Sequence, residues 1–215
     1  MDDRLRIQRY PPSKERIQKK RAKIDSVPII EEHPLRPFLP HEAKVLILGS
    51  FPPQQKRWSM EFFYPNFQND MWRIMGTIFF ADRNIFVDSE KRCFRREDIE
   101  RFAEKAGLAL YDTAEAVHRL RDNASDNFLE IVRPTNIEDL LAQLPSCRAI
   151  ATTGEKATSE IVARYKTEKL RIGEHQPLMI GNHALRFYRM PSTSRAYPLS
   201  LDRKASYYQD RKSVV

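Results

Sequence analysis

Four short apolar runs punctuate the chain, and stretches with helical spacing lie between them. Lys44-Val45-Leu46-Ile47-Leu48-Gly49-Ser50 has the form of a fully buried strand that ends in a turn. Leu108-Ala109-Leu110-Tyr111-Asp112 and Arg148-Ala149-Ile150-Ala151-Thr152-Thr153 read as two more strands, and Leu185-Arg186-Phe187-Tyr188-Arg189-Met190 as a fourth, alternating in character. Asn69 is placed to cap a helix carrying Trp72, Ile74, Met75, Ile78 and Phe79 at helical spacing. Further helices are predicted over 97–106, ended by Gly107, over 137–144 after Thr135-Asn136, over 155–165 after Gly154, and over 201–212. Residues 25–43 hold Pro28, Pro34, Pro37 and Pro40 and read as an extended lead-in, while 51–68 is an aromatic- and proline-rich loop. Strands alternating with helices predict an α/β fold around a largely parallel sheet. In such sheets ligands bind beyond the carboxyl ends of the strands. The segments there are Gly49–Pro53, Asp112–Thr113, Thr153–Gly154 and Pro191–Arg195.

Length and composition narrow the class. The 215 residues suit one core-bearing domain rather than two. The chain divides into a basic, proline-punctuated extension over 1–37 and a domain over 38–215. With 41% hydrophobic and 31% charged residues the composition is that of a globular protein. No apolar stretch approaches the roughly 18–20 residues that cross a bilayer, and the first residues lack the form of a signal peptide. Two cysteines, Cys93 and Cys147, cannot supply the four ligands of an iron–sulfur cluster or a Cys-rich zinc site. They point instead to a reducing compartment. A cytoplasmic protein without metal or cofactor is expected.

Charge is unevenly spread. The formal net charge is +8, and residues 4–23 alone hold nine Lys and Arg against the single acid Glu15. The whole excess lies on that segment, which carries too few apolar residues to offset its ordering entropy and reads as a mobile basic arm. The remainder is neutral but polarised, with +5 on residues 186–215 against −3 on 24–185 and −2 from Asp2 and Asp3. A basic end on an acidic body suits an anionic ligand.

Two segments carry unusual chemistry. Gly49-Ser50-Phe51-Pro52-Pro53 is followed by Phe62-Phe63-Tyr64-Pro65-Asn66-Phe67-Gln68-Asn69-Asp70-Met71-Trp72. The glycine allows close backbone approach, and flat rings beside amides suit a nucleobase, which is read by stacking and edge hydrogen bonds. In Met190-Pro191-Ser192-Thr193-Ser194-Arg195, three consecutive hydroxyls and an arginine suit phosphate oxygens.

Five pieces in order, over roughly residues 38–212, resemble the uracil-DNA glycosylase superfamily, most closely its hypoxanthine- and mismatch-type branch. They are Leu46–Pro52, the run from Tyr64-Pro65 through Asn69-Asp70-Met71-Trp72 to Gly76, Leu110-Tyr111-Asp112, Thr153–Ala157, and Met190–Ser194. The resemblance implies a three-layer α/β/α sandwich with a four-stranded, mainly parallel sheet. It implies a monofunctional enzyme of base-excision repair that flips a deaminated or mispaired base out of double-stranded DNA and hydrolyses its N-glycosidic bond, acting as a monomer. By position, Gly49, Ser50, Phe51, Pro52, Phe63 and Tyr64 would line the base pocket. Met190, Pro191, Ser192, Thr193, Ser194 and Arg195 would hold the DNA. Asn69, in the Asn-x-x-Trp run, takes the catalytic part of that branch. Phe51 departs from the pattern, standing where many relatives place the Asp or Asn that positions water, and Met190 stands where many have His.

Glycosidic cleavage builds positive charge on the sugar and negative charge on the leaving base. The Asn69 amide can both accept and donate, and Asp112, at a strand end, is the candidate carboxylate. Asp70 and Asp126 are weaker candidates. His33, His41, His118, His175 and His183 form no HExxH set and no zinc-deaminase set. No P-loop is present, and Gly154-Glu155-Lys156-Ala157 reads as a helix start. A second reading, fed by Phe51, is a catalytically weak DNA-binding module that keeps the fold.

Overall fold

The computed structural model describes residues 29–120 and 128–209. The basic segment 4–23, Asp126 and the end of the last helix predicted by sequence lie outside the described residues.

The central sheet grows from the apolar runs. β2 (Val45–Gly49), β5 (Leu108–Asp112) and β8 (Ala149–Thr153) are buried at every residue, as strands covered on both faces must be. β10 (His183–Met190) alternates, and β9 (His175–Ile180) lies at the edge. The order is β5-β2-β8-β10-β9. β2 pairs in parallel with both β5 and β8, and β10 with β8. The sheet thus has five strands rather than the four the resemblance implies. The fifth is an antiparallel hairpin partner, joined to β10 through Gly181-Asn182 with Gly181 at φ 54°. This two-residue turn is of the kind that closes hairpins, and Pro177 is tolerated because β9 is an edge strand.

A second, antiparallel sheet has the order β1-β6-β7. It comprises β1 (Ile30–Glu32), β6 (Ala114–Arg119) and β7 (Leu129–Pro134). β1 arises inside the proline-punctuated lead-in, and β6 continues from β5 after Thr113 alone. Phe51, Ala114, Val117 and Leu129 form a small apolar core beneath this sheet, separate from the main one. β3 (Val87–Asp88) and β4 (Cys93–Phe94) make a short antiparallel pair.

The helices fall close to their sequence positions: α1 (Met71–Phe80), α2 (Arg96–Lys105), α3 (Ile137–Ala142), α4 (Glu155–Tyr165) and α5 (Leu201–Gln209). α1 buries Trp72, Ile74 and Met75 and packs against α5. Asn136 caps α3 by accepting from the Asp139 amide, and Gly107, at φ 66°, makes the left-handed turn after α2. Among the described residues no helix is long and apolar enough to cross a membrane.

Buried phenols make the fold sensitive to alkali. Burial, reinforced by Glu115 and Asp112, pushes the Tyr111 hydroxyl up to about 12, and burial raises Tyr208 well above its ordinary value. Both phenols ionise near pH 10 in the unfolded chain. Their contribution is therefore complete below about pH 10 and is lost above it, for Tyr111 as pH rises through about 12. Urea denaturation across this interval should show stability falling, with a shallower fall in Tyr208→Phe.

Candidate functional site

Parallel pairing in register brings the four strand ends together. Gly49 lies opposite Asp112, and Thr153 opposite Met190. The Thr113 amide donates to Gly49 O at 2.9 Å, and the Gly154 amide to Met190 O at 3.2 Å. The glycine of the first segment serves its neighbour as much as any ligand. A Cβ at position 49 would stand 2.3 Å from Asp112 Oδ1 and 3.6 Å from the Tyr64 hydroxyl. Only a residue without a side chain leaves room for the carboxylate. Tyr64, at φ 53°, exchanges a hydrogen bond with Thr153 Oγ1 at 3.0 Å. Gly49, Tyr64, Asp112 and Thr153 therefore meet at the carboxyl ends of β5, β2 and β8.

Asp112 is anchored by a residue that the sequence did not single out. His33 Nε2 lies 2.9 Å from Asp112 Oδ2. The His33 side chain is 2% exposed and packs against Tyr111, Phe51 and Phe63, with ring centroids 4.6, 5.3 and 6.2 Å away. Asp112 Oδ1 stands over Gly49. The Asp112 carbonyl accepts from Thr135 Oγ1 at 2.7 Å.

Asn69 sits at the start of α1, half-buried. Its Oδ1 accepts from the Met71 amide at 2.9 Å. Because a backbone N–H can meet only the amide oxygen, Nδ2 is the end left to face a ligand. A free Asn69 amide would both accept and donate, and the helix claims the accepting part. The neighbouring Asp70 is the first residue of the cap but turns its carboxylate away from the helix, towards Lys204.

Lys204 is fully buried. Its ammonium donates to Asp70 Oδ2 at 2.8 Å and to Ser194 O at 2.7 Å. The Asp70 amide donates to Thr193 O at 2.9 Å, and the Tyr208 hydroxyl to Pro191 O at 3.0 Å. α1 and α5 thus hold the 191–194 loop by its carbonyls, which leaves side chains to face outward. Ser194 and Arg195 are exposed and Ser192 half-buried, whereas Met190, Pro191 and Thr193 are buried. Of the three hydroxyls only those of Ser192 and Ser194 lie towards solvent. Arg195 Nη1 stands 3.8 Å from Asp70 Oδ1, which is itself buried and, among the described residues, without a hydrogen bond.

Ser50, Phe51 and Phe63 are buried, Phe51 within the small core. Pro52 O accepts from Arg119 NH2 at 2.9 Å. The Arg119 side chain, 2% exposed, also meets both Glu31 carboxylate oxygens at 3.0 Å and lies over the Phe51 ring. Lys204 could have been found from sequence, since it shares a helical face with Leu201, Ala205 and Tyr208. His33 and Arg119 carry no comparable local signal.

The chain matches no protein-family model and no curated protein. Its structure is similar to the solution NMR structure of a "putative uracil DNA glycosylase" from Methanosarcina acetivorans, with a TM-score of 0.55 and 20% sequence identity over 86% of this chain and 99% of the other. At that identity the likeness establishes a shared fold.

Removing the buried cation tests how the loop is held. Lys204→Met should cost about 3–5 kcal/mol, because it strands a buried carboxylate. Lys204→Met/Asp70→Asn should recover part of that loss in urea denaturation.

Proposed function

We propose that this chain is a DNA glycosylase of the uracil-DNA glycosylase superfamily, acting on a flipped uracil or hypoxanthine. The observation that carries this reading is the convergence, at the carboxyl ends of parallel strands, of an acceptor carboxylate over Gly49 with a carbonyl-held loop bearing Ser192, Ser194 and Arg195. The shared fold and the ordered motifs support it. The three-layer arrangement, the hypoxanthine- and mismatch-type branch and the 38–215 domain boundary belong to the same proposal.

The reaction breaks the C1′–N bond and forms a C1′–OH bond. Asp112 Oδ1 accepts the proton of the attacking water, and its charge stabilises the oxocarbenium-like sugar. Asn69 Nδ2 donates to the departing base, which leaves with the bond's electron pair. Asn69 and Asp112 thereby divide between two residues the donating and accepting parts that a single amide could play. Phe51 takes no part in activating water, since its ring is packed in the small core. Ser192, Ser194 and Arg195 bear on the DNA backbone. Flipping costs a few kcal/mol, least at a damaged or mismatched pair, and this contributes to selection.

Duplexes carrying one uracil or one hypoxanthine, incubated with the protein and then treated with alkali, should break at the lesion. Asn69→Ala should slow excision by about 10²–10³-fold, as loss of a single transition-state donor does, while DNA binding largely survives. Binding without breaks on every lesion would favour the second reading, a DNA-binding module that keeps the fold.

The basic segment 4–23 is assigned to non-specific phosphate contact. Each phosphate it neutralises adds about 0.9 to the slope of log affinity against log salt. Deleting residues 1–24 should flatten that slope, and an unchanged slope would remove the segment from the interface.

A further inference from the structure

Asp112 could in principle present either oxygen to a ligand, and the fold decides which. The residue that decides comes from outside the central sheet. His33 directly follows β1, and its amide donates to Glu115 O at 2.8 Å, which fixes it to the start of β6. Pro34 restricts His33 to extended backbone. On the ring's far side, Nδ1 lies 3.1 Å from the Leu35 amide nitrogen and 2.8 Å from Leu35 O. Leu35 therefore offers a donor to a neutral imidazole and an acceptor to an imidazolium, and the ring meets either state without moving. Phe51, Phe63 and Tyr111 enclose it. In both states Nε2 carries the proton that Asp112 Oδ2 accepts.

We infer that His33 is the positioning residue of the site: it pins Asp112 Oδ2 so that Oδ1, over Gly49, is the one acceptor the carboxylate offers to the attacking water. This rests on the glycosylase reading. Its chemical consequence is directional. A carboxylate free to rotate about its last bond would spread its acceptor capacity over several orientations, whereas a pinned one is held near a single productive geometry. Misplacement on the ångström scale by a change away from the reacting atoms can cost about 10²-fold in rate.

The test measures single-turnover excision, on a lesion that the wild-type protein cuts, alongside DNA affinity and melting temperature. His33→Ala should lower the rate by about 10²-fold with little change in affinity. His33→Gln, whose amide nitrogen can occupy the place of Nε2, should restore most of it. His33→Ala/Asp112→Asn should be no slower than Asp112→Asn alone, since the two residues act as a unit. A wild-type rate in His33→Ala, or multiplicative losses in the double variant, would overturn the assignment, as would equal losses in the Ala and Gln variants. Imidazole nitrogen NMR supplies a second readout independent of activity. The His33 Nε2–H signal should be protected in the wild-type protein and lose its protection in Asp112→Ala, which leaves no acceptor. If no duplex is cut at all, the glycosylase reading fails, and the spectrum alone then decides the pin: a protected signal lost in Asp112→Ala upholds it, and an unprotected one overturns it.

Discussion

The Asp70–Lys204 pair is the constraint on which the rest of the site's geometry hangs. An ammonium with no exposed surface has few ways to exist, because desolvating a charge costs several kcal/mol unless it is paired and hydrogen-bonded. Lys204 meets that demand with a carboxylate from the start of α1 and a carbonyl from the 191–194 loop. Net stability is a weak reason for such a pair, since apolar replacements of similar volume often do as well. What the pair specifies is position. It joins α1, α5 and the loop after β10 at one point, and it draws the Asp70 carboxylate off the helix, so that capping passes to Asn69. The orientation of the Asn69 amide, and with it the end that faces a ligand, follows from where a lysine is buried on another helix.

The small antiparallel sheet holds the other side of the site. Glu31 grips Arg119, which holds Pro52 O, and His33, two residues later, grips Asp112. The segment after β2 and the carboxylate at the end of β5 are therefore secured by one short strand, β1, which belongs to neither the parallel sheet nor its helices.

Much of the central architecture was legible in the sequence because its signals are local. β2, β5 and β8 are short apolar runs, α4 begins and ends at Glu155 and Tyr165 as its spacing predicts, and Gly107 and Asn136 act at the helix ends where their chemistry suits them. β1, β6 and β7 were not legible. The pairing of β1 is long-range, since its three residues find their partners on β6 more than eighty positions away. β9 did carry a signal, Gly181-Asn182 between two alternating segments, of the kind that marks a hairpin. In the site, Asp112 could be nominated because it ends a strand, whereas its partner His33 sits among prolines with no periodicity to mark it. Phe51 looked like a stacking surface because exposed and buried rings are alike in sequence, and only the small core shows which it is.

The missing side chain at Gly49 has an implication for how this site could be altered. Asp112 Oδ1 fills the volume that a Cβ at 49 would occupy, and the two residues are register partners on adjacent strands. The space above β2 and β5 thus holds one carboxylate-sized group, and the backbone does not prescribe which strand supplies it. A chain with glycine at 112 would have that volume vacant, open to an Asp or Asn carried by position 49. The polar group could be moved between neighbouring strands by a paired exchange, with the sheet unchanged beneath it.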